Sequence, residues 1–338
     1  MDIFNIYLLV SGIQFNVLLL ILIGFCVGVL GGFFGVGGGW IVTPALNIFG
    51  FPMPFAIGTD LANIFGQSIG AVKKHHKMGN VDWKLGFISI ITSVIGLEIG
   101  SETIMTLEKA GDVGTIVRWC YILFLFSVSS YMFYDYFLNR LKQSESKAQD
   151  QNKIPEKLHN INLPPMISFP ASGIESVSIW IIFSIFLFTG FLSGFMGVGG
   201  GFIIMPALVY LIGLPTAIAV GTSLMTVLFS GAYGCFTYAL KGRVELIAAF
   251  IILLGASIGA QVGATAVKYI KGYGIRLLFA IMIVFAGFSV VIEQIYKVSK
   301  VPFYQSFAGI ILMGIAVTMS SIIIVKLIQG AIKEKNYS

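Results

Sequence analysis

GVGGGWIVTPAL at residues 35–46 and GVGGGFIIMPAL at residues 197–208 decide how this chain is read. Nine of the twelve positions are identical, and the copies stand 162 residues apart. Each copy places consecutive glycines inside strongly apolar sequence and follows them with a proline, Pro44 or Pro206. A doubled glycine break within hydrophobic helices is the pattern of membrane transporters whose discontinuous helices meet near the bilayer midplane.

The surroundings fix the class. Hydrophobic residues make up 57% of the chain and charged residues 11%, against roughly 25% charge in a soluble domain. The mean hydropathy is +0.93. Several apolar runs reach the ~20 residues a helix needs to cross a bilayer. They do not show the alternating segments of about ten residues that mark a membrane β-barrel. The expected fold is an all-α integral membrane bundle of two internal repeats, each with a glycine-broken helix, in a multi-pass protein of the cell membrane. The net charge of +6 sits in the short polar gaps, as the positive-inside rule requires, so nucleic acid is not an expected partner. Cys26, Cys120 and Cys235 are too few and scattered for a disulfide framework or zinc site, and they read as buried, inert thiols. The start, MDIFNIYLLV, lacks a basic n-region and a small-residue cleavage site and reads as retained.

Apolar segments fall at 15–34, 38–50, 54–73, 84–104, 115–138, 178–196, 200–212, 216–240, 244–267, 274–295 and 305–329. Segments 38–50 and 200–212 are too short to span alone. They read as half-helices joined to their predecessors by an unwound glycine turn. The division is a first half at 1–138, a polar and flexible linker loop at 139–177, and a second half with an extra terminal span at 178–338. The repeat extends past the motif. Gly58-Thr59-Asp60 aligns with Gly221-Thr222-Ser223, Gly79-Asn80-Val81-Asp82 with Gly242-Arg243-Val244-Glu245, and residues 95–100 with 258–263. If the short pieces do not cross, the halves are parallel and Lys plus Arg divide 13 to 8 between the sides; if they cross, the halves are inverted and the division is 15 to 6. The inverted arrangement obeys the positive-inside bias better. It puts the linker and the C-terminus in the cytoplasm and the N-terminus outside.

Gly37, Gly38, Gly39 and their counterparts Gly199, Gly200, Gly201 are the first site candidates. Glycine reaches backbone angles closed to other residues and lets a solute approach the main chain. A helix beginning there presents free amides to an anion. Close packing of small residues is the competing reading. Next comes a polar stripe. Asp60, Asn63 and Gln67 share one face of an apolar helix, matched by Ser223, Thr226 and Ser230 in the second half, with Thr59 and Thr222 alongside. Polar groups at bilayer depth must be satisfied by neighbours or line a cavity, so the stripe is solute-lining or interhelical glue. Two carboxylates, Asp60 and Glu98, lie within apolar runs. An ionised carboxylate at a helix centre costs roughly 2.5–3.5 kcal/mol, which makes both proton-coupling candidates. The alternatives are a position near a helix start for Asp60 and at a helix end for Glu98. His75 and His76 read as part of a solvated basic loop, so no metal site is expected. No Lys or Arg lies near the centre of any span, so a bound anion would be held by amides and hydroxyls. No cofactor motif and no catalytic constellation is present, which argues against an enzyme.

Two GxGGGxxxxPxL motifs, each followed by a Gly-Thr-(Ser/Asp) helix, resemble the TauE/SafE family of sulfite exporter-like, toluene sulfonate uptake permeases, over about 20–330. The resemblance implies transport of small sulfur-containing or organic anions such as sulfite, sulfonates or sulfoacetate, often outward. It carries the motif glycines and the pairs Thr59/Asp60 and Thr222/Ser223 over as site positions. Asp60 departs from the small hydroxyl residue associated with its place. The expected function is therefore a secondary transporter of a small anion, with the lipid bilayer as its environment and a homo-oligomer compatible with it. A passive anion channel, and a cation transporter using Asp60 and Glu98, are the alternatives.

Overall fold

The computed structural model describes residues 5–8, 10, 12–111, 113–142, 155, 163–197, 199–270 and 272–337. They form eleven α-helices: α1 (Val17–Phe34), α2 (Gly39–Ile48), α3 (Met53–Lys77), α4 (Trp83–Ala110), α5 (Val113–Lys142), α6 (Ile179–Met196), α7 (Gly201–Ala207), α8 (Thr216–Leu240), α9 (Leu246–Ala266), α10 (Gly272–Ser299) and α11 (Pro302–Tyr337). Eight of them are long and apolar enough to cross a membrane. Large apolar side chains such as Trp119, Leu123, Phe236 and Phe250 cover the outer faces, as lipid contact allows. Antiparallel hairpins precede α1 and α6: β1 (Asn5–Leu8) with β2 (Ile13–Asn16), and β3 (Met166–Phe169) with β4 (Ile174–Ser178). The second hairpin occupies the end of the stretch read as a linker loop. The rest of that stretch lies largely outside the described residues.

The glycine motifs break the chain as their sequence demands. α1 ends at Gly35, and Gly35, Gly37 and Gly38 take φ of +79°, +72° and +84°. α6 ends at Gly197, and Gly197, Gly199 and Gly200 take +75°, +63° and +74°. These are left-handed angles that cost other L-residues roughly 1–2 kcal/mol each. Pro206 lies inside α7 and lacks an amide donor, and the five residues that follow α7, Leu208–Ile212, wind as a π-helix.

Small residues set the helix pairing. Methyl groups at Gly24, Gly28 and Gly32 would fall 2.0, 2.3 and 2.2 Å from the carbonyl oxygens of Ile252, Ala256 and Ala260. α1 and α9 therefore run parallel with main chains in contact, the close approach that small-xxx-small patterns permit. Gly190 and Gly194 meet Ser93 O and Leu97 O at 2.2 and 2.1 Å, so α6 and α4 pair the same way. α3 and α8 run antiparallel. Thr59, in the second turn of α3, meets the turn after α8, and Thr222, in the second turn of α8, meets the turn after α3. α5 and α10 are joined near both ends by buried ion pairs, Arg118 to Glu293 at 3.6 Å and Arg276 to Asp135 at 3.5 Å.

Candidate functional site

The glycine breaks fold back into the middle of the molecule. Gly31 packs on Gly37, and a methyl at Gly38 would strike the Val27 side chain, two turns down α1. The second break does the same, with Gly200 against Thr189 O and Ser193. Both breaks reach one place. Gly37 and Gly199 each lie against Ile64 of α3 and Val227 of α8. A methyl at Gly201 would fall 2.4 Å from Val36 O, so the two loops also touch each other. α2 thus begins at the centre and runs outward, back toward the side where α1 started, where Phe49 and Phe51 stack edge-on with Phe15.

The polar stripe holds these loops. Gln67 Nε2 donates to Gly37 O. Its counterpart, the Ser230 hydroxyl, donates to Gly199 O at 3.1 Å. Two turns further along α3 and α8, the His75 Nε2 lies 3.0 Å from Gly32 O, and the Tyr238 hydroxyl donates to Gly194 O at 2.6 Å. His75 is fully buried, which corrects the solvated-loop reading. KKHHK forms the last turn of α3, and of its two histidines only His76 faces outward, accepting from Trp83 Nε1 at 3.0 Å. The hydroxyl of Ser223 donates to Gly35 O at 2.5 Å.

Asp60 stands apart from this pattern of donors. It is fully buried two turns inside α3 rather than at the helix start. Its Oδ2 accepts from the Thr43 amide at 3.1 Å and the Thr43 hydroxyl at 2.8 Å, both on α2. In the sequence alignment Met205 matches Thr43 and Ser223 matches Asp60, so the carboxylate has no counterpart there.

Several buried polar atoms of α2, α3 and α6 have no hydrogen-bond partner among the described residues: Trp40 Nε1, Asp60 Oδ1, both side-chain atoms of Asn63, Gln67 Oε1, and the hydroxyls of Ser68 and Ser193. The amides of Gly37, Gly38 and Gly39 likewise meet no acceptor there, as the first amides of a helix cannot be satisfied from within. Buried polar groups left unpaired are costly, so this collection calls for a polar occupant or a second arrangement of the loops. Its donors carry no formal charge.

The remaining expected positions lie elsewhere. Thr59 and Thr222 sit at opposite ends of the α3–α8 pair. Their hydroxyls accept from the Glu245 and Asp82 amides at 3.0 and 2.9 Å. They tie each long helix to the turn of the other half. The same acidic residues anchor the hairpins, with Val10 N donating to Glu245 at 2.9 Å and the Ser172 hydroxyl to Asp82 at 2.6 Å. Thr226 pairs with Ser89 of α4 at 2.7 Å. Glu98 is mid-helix, since α4 continues to Ala110. Its side chain is 41% exposed and meets Lys241 at 4.0 Å and the Tyr233 hydroxyl at 3.0 Å, away from the breaks. Of the cysteines only Cys26 is buried; Cys120 and Cys235 are partly exposed. Trp40, Thr43, Ser193 and Tyr238 were not singled out in the sequence, and His75 was placed in a loop. Only their nearness to the glycine motifs or alignment across the halves could have marked them.

Helices crossing a bilayer, two of them broken and meeting at the centre, define the class: a multi-pass helical integral membrane protein built around discontinuous helices. The model of the sulfite exporter TauE/SafE family matches residues 20–290, and the chain belongs to that family. A "probable membrane transporter protein" of Methanocaldococcus jannaschii is 31% identical over 62% of this chain and 68% of its own length. YunE of Bacillus subtilis, described in the same words, is 26% identical over 82% of this chain and 98% of its own. A third such protein, from Xylella fastidiosa, is 26% identical over 72% of this chain and 80% of its own. No solved structure matches the chain significantly. The protein is a membrane transporter.

Proposed function

We propose that this protein is a secondary transporter of a small organic or sulfur-containing anion, sulfite or a sulfonate, held where the two glycine breaks meet. The observation that carries the reading is the convergence of Gly37 and Gly199 on Ile64 and Val227, with the unpartnered Asn63 next to Ile64 on α3, the unpartnered Ser193 against Gly200, and the free loop amides. Neutral donors fixed by a scaffold, together with the outward-pointing dipole of α2, suit an oxyanion. Arg118 and Arg276 are not its partners, since each is engaged by a carboxylate. Antiparallel α3 and α8 favour inverted halves, in which α1 and α2 cross in opposite directions. The N-terminal hairpin then lies on one side of the membrane, and the linker and C-terminal end on the other.

Val36, Trp40, Asp60, Asn63, Gln67 and Ser230 are all buried. A continuous aqueous pore would expose them, so a closed site that opens to one side at a time fits better than a passive channel. The test is flux into proteoliposomes with sulfite, methanesulfonate and divalent cations as competing solutes. Saturable anion uptake that drives itself against a gradient, and that falls at least about tenfold in Gln67→Ala while the protein stays monodisperse, is the expected result. Gradient-limited, non-saturating flux, or uptake of cations alone, would refute it.

A further inference from the structure

We infer that Asp60 is a proton-binding site, present in one half only, whose occupancy by a proton and occupancy of the neighbouring anion site favour each other, so that the protein moves its anion together with a proton. The inference rests on the anion reading of the glycine breaks. The helices α1, α2, α6, α7, α8 and α9 contain no Asp, Glu, Lys or Arg. α3 contributes Asp60 as its only carboxylate.

The groups that face Asp60 from its neighbours are few. Thr43 of α2 supplies the two hydrogen bonds to Oδ2. Tyr121 of α5 is close enough to sense the carboxylate, and its hydroxyl is committed to Met196 O at 2.8 Å. Toward α9, Arg243 is turned to Glu108 at 3.0 Å, and Glu245 meets α3 through its amide at Thr59. On α4, Glu98 and Glu102 are engaged by Lys241. His75 lies four turns away along α3. The Asn63 amide, one turn on along α3, is the remaining polar group beside the carboxyl, and no cation faces Asp60 among these groups.

Position supplies the coupling. Ile57, one turn before Asp60, contacts Gly197, and Ile64, one turn after it, contacts Gly37 and Gly199. One turn of helix is about 5.4 Å. An ionised Asp60 would therefore set a negative charge beside the place read as the anion site, with no counter-cation to offset it. Protonation removes that charge. By linkage, whatever the proton does for anion affinity, the anion does for proton affinity. The repeat shows what a neutral donor does at this point of the fold, since Ser223 in the matching place donates to Gly35 O. A protonated Asp60 has such a hydrogen to give, and an ionised one has none. A sodium ion suits the geometry less, because Oδ2 already receives two hydrogens from Thr43.

The experiment uses the full-length protein with methanesulfonate, whose own charge is constant over the range studied. In the wild type, anion affinity should rise by up to about tenfold per pH unit of acidification where Asp60 titrates. Binding should take up close to one proton in weakly buffered solution. Asp60→Asn, and Asp60→Ser as the residue of the other half, should bind with no pH slope and no proton uptake. In liposomes they should fail to accumulate anion under a pH gradient that drives accumulation in the wild type. An unchanged pH slope and proton uptake in both variants would overturn the proposal, and so would sodium-dependent binding that is indifferent to pH. If the wild type binds no anion, the transport reading fails first. Infrared difference spectroscopy then judges Asp60 alone. A carboxyl band that titrates and vanishes in Asp60→Asn keeps the proton site, and its absence removes it.

Discussion

The contact between the two glycine loops predicts unequal losses, of different cause, for neighbouring alanine substitutions. Gly201 is helical, so intrinsic propensity alone would make Gly201→Ala favourable by up to about 1 kcal/mol. The structure reverses the sign. The new methyl would lie 2.4 Å from Val36 O and 2.6 Å from the Val36 carbonyl carbon, whereas a close C···O approach is about 3.3 Å. One loop must therefore withdraw by roughly 0.9 Å, and because the obstacle is main chain of the other half, no rotamer can relieve it. Overpacking of this kind costs about 1–3 kcal/mol or more, and the upper end is expected here. Gly200→Ala has the reverse problem. Its φ of +74° costs about 1–2 kcal/mol for alanine, but the nearest atom to the methyl, Thr189 O, is 3.0 Å away and asks for only a small adjustment. Thermal unfolding of purified variants, followed by size-exclusion and tryptophan fluorescence, should rank wild type above Gly200→Ala and that above Gly201→Ala. Val36→Gly should not rescue the latter, since the clash is with backbone. A Gly201→Ala protein as stable as wild type would refute the close meeting of the two breaks, and with it the shared centre.

Three further outcomes follow from the same geometry. Tyr238→Phe removes the bond to Gly194 O and should cost about 0.6–1.7 kcal/mol, the range for hydrogen bonds inside membranes; a neutral result in thermal unfolding would mean the bond is not formed. Arg118→Met leaves the buried Glu293 without its partner and should cost about 3–5 kcal/mol, while Arg118→Met with Glu293→Met should recover most of that loss; additive losses in the double-mutant cycle would show that the pair is not coupled. Cysteine labelling in intact cells should place the linker and the C-terminal end on one side and the N-terminal hairpin on the other, and reactivity of all three from the same side would exclude inverted halves.

Much of this protein was legible in its sequence because bilayers impose simple rules. Every backbone group must be satisfied within the chain, so apolar runs of sufficient length become helices. Left-handed angles are cheap for glycine, so GVGGG marked both breaks, and the short segments after it became α2 and α7. The polar stripe was legible too, because helical spacing put Asp60, Asn63 and Gln67 on one buried face. What those residues touch was not legible. Thr59 and Thr222 look like site residues by their nearness to Asp60 and Ser223, yet they tie helices to opposite ends, because a helix advances 1.5 Å per residue and the partner is a distant turn. His75 read as part of a basic loop because its neighbours are lysines, but the last turn of α3 carries it inside to Gly32. The pairing of α1 with α9 and of α4 with α6 crosses between halves, and only folding could reveal which glycines face which carbonyls. Periodicity and composition fixed the elements, since those depend on neighbours in the chain. The centre where Gly37, Gly199, Ile64 and Val227 meet depends on contacts between segments some 160 residues apart, and these exist only once the two halves have packed against each other.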